Sequence, residues 1–114
     1  MQDAGAGSPP SVDLRLPERL DVSTVASVRD ALSCAVAASP TGDVVADVSC
    51  VEVVDAAGLG LLLATHRTCA RLGGRLVLVD PQPRLLRLLA VTRLHRVLYL
   101  DRESASATRG AATA

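Results

Sequence analysis

Strands alternating with helices along a short chain predict an α/β fold, a single domain with a mostly parallel central β-sheet of four to five strands and three to four helices. Three observations carry that prediction. The apolar residues switch repeatedly between an alternating pattern and a helical one. Breakers fall between the patterned runs: Pro17, Pro40 with Gly42, and Gly73-Gly74. A chain of 114 residues with 49% hydrophobic content builds one core and leaves little room for a second domain.

The elements follow in order. Residues 1–11, rich in Gly, Ala, Ser and Pro, read as a flexible tail. Val12, Leu14 and Leu16 alternate with Asp13 and Arg15, which makes a half-buried strand whose polar face suits a sheet edge. Asp21 and Ser23 are candidate N-caps for a helix carrying Val25, Val28, Leu32 and Ala35 at helical spacing. The compact run Val44–Val48 suits a buried central strand, and a second short strand, Val51–Val54, leads to Asp55. A helix follows with Leu59, Leu62, Leu63, His66 and Ala70 on its apolar face and Thr65, Thr68 and Arg71 on another. Gly73-Gly74 ends it through a left-handed turn. Arg75–Val79 is the next strand, Asp80-Pro81 starts a helix with a Leu85, Leu86, Leu88, Leu89 stripe, and Val97–Leu100 is the last strand. The ordered domain then spans 12–101, and small, aperiodic residues make 102–114 a second flexible tail.

Composition narrows the function classes. Net charge is zero, and the twelve basic residues, all arginine, are scattered, so the electrostatic footprint of a nucleic-acid binder is missing. With one Tyr and no Phe or Trp there is no stacking platform for single strands. Cys34, Cys50 and Cys69 form no CxxC pair and read as small, buried, reduced hydrophobes rather than metal ligands. No signal peptide is visible, and the longest near-apolar stretch, Ala56–Thr65, is too short to span a bilayer. A cytoplasmic setting is the expectation.

Catalytic motifs are missing in turn. Gly58-Leu59-Gly60 opens a helix after a strand, but a dinucleotide fingerprint needs glycine at position 63, which is Leu63. Without lysine there is no phosphate loop. His66 and His95 lie apart with no ligand cluster, and His66 reads as a partly buried, hydrogen-bonded core histidine. No spacing of Ser, His and Asp marks a nucleophile elbow, so no enzyme, metal or cofactor is expected. Asp55 is more informative. It reads as the N-cap of the helix, with Gly58 and Gly60 as small residues that let a partner or a neighbouring backbone come close.

The stretch from Val44 to Leu62, Val-Val-Ala-Asp-Val-Ser-Cys-Val-Glu-Val-Val-Asp-Ala-Ala-Gly-Leu-Gly-Leu-Leu, resembles the signature of the STAS domain, the family that includes the bacterial anti-sigma factor antagonists. Leu20-Asp21, Leu72-Gly73-Gly74-Arg75-Leu76 and Leu88-Leu89-Ala90-Val91-Thr92 match further family elements in the right order. Glu18 stands where glycine is common before Leu-Asp, and Arg93 where glycine often follows Leu-Thr.

The resemblance implies a STAS fold and a partner-switching role. An antagonist of this family binds an anti-sigma factor, usually a serine kinase of the GHKL class, which inactivates it by phosphorylating the Ser or Thr after the Asp of the turn. Carried onto this chain, the partner-binding positions are Asp21, Ser23, Thr24, Asp55, Ala56, Ala57, Gly58 and Gly60. The phosphoacceptor-equivalent position is Ala56, which has no hydroxyl, and neither has Ala57. The expected function is therefore an anti-sigma factor antagonist that cannot be switched off at this turn, present as a monomer or weak homodimer, with no nucleic acid and no membrane insertion. The alternative is a non-catalytic scaffold subunit of a signalling complex or of an ABC-type lipid-transport system.

Overall fold

A computed structural model describes residues 11–101. Of the flexible tails expected at 1–11 and 102–114, all but Ser11 lie outside the described residues. In chain order the elements are β1 (Leu14–Arg15), β2 (Arg19–Leu20), α1 (Val25–Ala38), β3 (Val44–Asp47), β4 (Val53–Val54), α2 (Ala56–Arg71), β5 (Leu76–Val79), α3 (Pro83–Val91), a 3-10 turn (Leu94–Arg96) and β6 (Tyr99–Asp101).

The main sheet is four-stranded and entirely parallel, in the order β1-β3-β5-β6, with β1 at an edge as its polar face requires. Its register aligns Leu14, Ala46, Leu78 and Leu100 in one row across the strands. That face, with Val44 and Leu76, packs into a single core against Val28, Leu32 and Val36 of α1, Leu61, Leu62 and Cys69 of α2, and Leu85 and Leu89 of α3. The alternate residues point to the other face, because side chains alternate along a strand. There Val45, Val77 and Tyr99 are in register outside the core, beside an Arg15–Asp47 ion pair of 3.3 Å and the Arg75 guanidinium, 4.4 Å from the Tyr99 ring centre.

Several expectations change. Residues 19–20 form a strand, β2, which pairs in parallel with β4 in a separate two-stranded sheet, so the strand read at Val51–Val54 does not join the main sheet. The first helix starts after a turn. Thr24 occupies the N-cap without a side-chain cap, while Asp21 accepts from the Ser23 N–H at 3.0 Å and closes the turn before the helix. The buried face of α2 is Gly58, Leu61, Leu62, Thr65 and Cys69, and Ala70 is exposed. Thr65 enters the core because its hydroxyl donates to the Leu61 carbonyl at 2.9 Å, which satisfies the polar atom within the helix.

His66 is half-buried as expected, but its Nδ1 is buried without a hydrogen-bond partner among the described residues. Cys34 and Cys50 are exposed and only Cys69 is buried, so two of the three cysteines do not serve the core. The third helix begins at Pro83, not Pro81. Gln82 is its N-cap, and Asp80 takes a left-handed φ of 59°, which bends the chain away from β5 before helix geometry can start.

Candidate functional site

The site is built at the carboxyl ends of the small sheet. β2 and β4 run in parallel, so the segments that follow them, residues 21–24 and 55–60, leave side by side. The ladder between them is made by the Glu18 carbonyl, which accepts from the Glu52 and Val53 N–H groups, and by the Leu20 carbonyl, which accepts from the Asp55 N–H at 3.3 Å.

Asp55 does two jobs with one carboxylate. Its Oδ1 accepts from the Gly58 N–H at 3.0 Å, the N-cap geometry expected at a helix start. Its Oδ2 accepts from the Val22 N–H at 3.1 Å, which ties the loop after β2 to the turn after β4. A negative group here also sits at the favourable, positive end of the helix dipole.

The facing loop is cross-braced. Thr24 Oγ1 accepts from the Asp21 N–H at 3.1 Å and donates to the Arg19 carbonyl at 2.8 Å. Ser23 Oγ donates to Asp21 Oδ1 at 2.6 Å, and Arg19 Nε donates to Asp21 Oδ2 at 3.1 Å. The Ser23 hydroxyl holds the Asp21 carboxyl below its ordinary value; desolvation opposes it, and the Ser23 N–H and the Arg19 guanidinium reinforce it.

The residues singled out in the sequence divide by exposure. Ser23, Ala56 and Gly60 are exposed, and Asp21, Thr24, Asp55 and Ala57 are half-buried. Gly58 is buried. A Cβ at Gly58 would collide with the Leu20 carbonyl oxygen, so the close approach it permits is that of the chain's own β2, not of a partner. Nothing lies within 4 Å of a Cβ placed on Gly60. Val22 was missed by sequence reasoning. It is 76% exposed and sits at the centre of the loop; its signal was a large apolar residue flanked by Asp21 and Ser23.

The surface offers small side chains, two carboxylates that are already engaged, Asp21 and Asp55, and one protruding valine. Such a surface can make shape contacts and hydrogen bonds, and its Ser23 hydroxyl is spent on the Asp21 carboxylate that closes the loop. Among the described residues no group of three or more His, Cys, Asp or Glu side chains is placed to hold a metal ion. No helix among them is long and apolar enough to cross a membrane.

Comparison with known proteins identifies the family and the fold. The sequence model of the STAS domain matches residues 6–107. An anti-sigma factor antagonist from Mycobacterium paratuberculosis shares 24% identity over 89% of this chain and 90% of its own, with a TM-score of 0.69. A Thermotoga maritima protein described as a candidate anti-sigma factor antagonist shares 20% identity over 89% of this chain and 92% of its own, also at 0.69. The Bacillus cell fate determinant SpoIIAA, in its phosphorylated form, shares 21% identity over 90% of this chain and 95% of its own, at 0.59. No curated protein sequence matches the chain.

Proposed function

Because this chain belongs to the STAS domain family, we propose that it is a binding module that acts as an anti-sigma factor antagonist. It docks through the Asp21–Thr24 loop and the Asp55–Gly60 turn, with Val22 as the apolar contact. The partner is an anti-sigma factor of the GHKL serine-kinase type, met in the cytoplasm by a monomer or weak homodimer. The observation that carries this reading is the double role of Asp55, which braces both segments into one exposed surface.

The turn keeps its unphosphorylated form. SpoIIAA exists in phosphorylated and unphosphorylated forms. In this chain Ala56 occupies the exposed first position of α2 and has no hydroxyl to esterify. A phosphate there would add about −1.5 to −2 charges beside Asp55. The kinase therefore binds this antagonist without inactivating it.

Calorimetric titration against the kinase, before and after incubation with ATP, tests the proposal. The affinity is expected to be the same in both cases. Ala56→Ser is expected to accept phosphate and then to lose at least tenfold in affinity. Phosphate on the unaltered chain with loss of binding, or capture of an ABC-type ATPase in place of an anti-sigma factor, would overturn the reading.

A further inference from the structure

A concave surface lies beside the Asp55–Gly60 turn, between β4 and α3. It is a groove of about 440 Å³ whose apolar lining is Val53, Val54, Leu85, Leu88 and Val91. Leu85 is the buried residue of the lining, and Val91 is 79% exposed. Arg84, Arg87 and Glu52 complete the lining. The two arginines are one turn apart on α3 and exposed, and among the described residues neither is held in an ion pair.

We propose that this groove binds a single-chain anionic amphiphile, in the simplest case a fatty carboxylate, with the alkyl chain against the valines and leucines and the head group on Arg84 and Arg87. The volume falls in the range of small-ligand sites, which are mostly apolar with a few polar groups that set orientation. A guanidinium suits a carboxylate because its N–H donors match both oxygens. Two cations against the single Glu52 carboxylate select an anion over a cation or a neutral head group. A helical segment of a partner fits less well. At a diameter of about 10 Å and a pitch of about 5.4 Å, one turn of helix alone would fill a space of this size. The lining includes Val54, the residue before Asp55, but this inference does not depend on the antagonist reading.

The test is a titration of the full chain, followed by amide NMR, with dodecanoate below its micelle concentration. Saturable shifts are expected at Val53, Val54, Leu88 and Val91. Dodecyltrimethylammonium and dodecyl maltoside are expected to bind at least tenfold more weakly. Arg84→Gln with Arg87→Gln is expected to weaken dodecanoate at least tenfold with the rest of the spectrum retained, and Glu52→Gln to tighten it severalfold. Equal binding of the three amphiphiles, shifts spread away from the groove, no saturation, or indifference to all these substitutions would overturn the proposal. So would displacement of dodecanoate by an acidic amphipathic peptide that binds the groove more tightly. No partner protein enters the experiment, so its failure leaves the antagonist reading untouched.

Discussion

Gly58 and Gly60 sit two residues apart on α2 and answer to different neighbours. Gly58 faces the Leu20 carbonyl with no room for a methyl group, whereas Gly60 faces open space. Gly58→Ala is expected to cost about 1–3 kcal/mol, the usual penalty for forcing atoms into a packed contact. Gly60→Ala should stabilise the helix by up to about 1 kcal/mol, because alanine loses less backbone entropy there. Thermal denaturation separates the two, at about 4–8 °C for each kcal/mol in a domain of this size. The sequence marked both glycines as sites of close approach, and only the pairing of β2 with β4 shows which one is structural. Asp21 carries the pH prediction. Its folded value lies below the ordinary one, chiefly through the Ser23 hydroxyl. The stabilisation from that bond is complete above the unfolded value of about 3.9 and is lost as pH falls through the folded value. Ser23→Ala is expected to move the Asp21 titration upward in carboxyl NMR, and an unmoved midpoint would refute the assignment.

Element ends show where local chemistry speaks and where it does not. The close of α2 was legible. Gly73 has φ 86°, its N–H donates to the Ala70 carbonyl, and the Gly74 N–H reaches back to Cys69, the paired bonds of a Schellman motif. Gly73→Ala is expected to cost about 1–2 kcal/mol, since a Cβ is disfavoured in left-handed backbone even in open space. Arg93 is the mirror case. It holds φ 64° where the family often has glycine, so Arg93→Gly is expected to stabilise the end of α3 by about 1 kcal/mol or less, the relief being partly offset by a freer unfolded chain. Urea titration of both variants checks the opposite signs. β2 was not legible. Two residues carry no period, and their partner lies more than thirty positions away, so only tertiary pairing reveals the strand. The face of α2 was misread by about one residue because threonine counts as polar until its hydroxyl finds a carbonyl in its own helix.

At the scale of the molecule, all the helices among the described residues join one core on one face of the main sheet. The alternation of strands and helices was enough to anticipate the parallel sheet, the edge position of β1 and the single core. It could not anticipate the second sheet, and with it the bracing that makes one surface from two distant segments. The face of the main sheet opposite the described helices has a consequence for observation. Tyr99, stacked under Arg75 on the last strand, is the only tyrosine, and phenylalanine and tryptophan are absent. Every near-ultraviolet signal from this protein therefore comes from one ring at the far edge of the sheet. Its fluorescence is a single-site gauge of whether β6 is docked, while the backbone dichroism reports the helices. If the domain unfolds as one unit the two curves superimpose, and a gap between them measures how far the last strand peels before the rest.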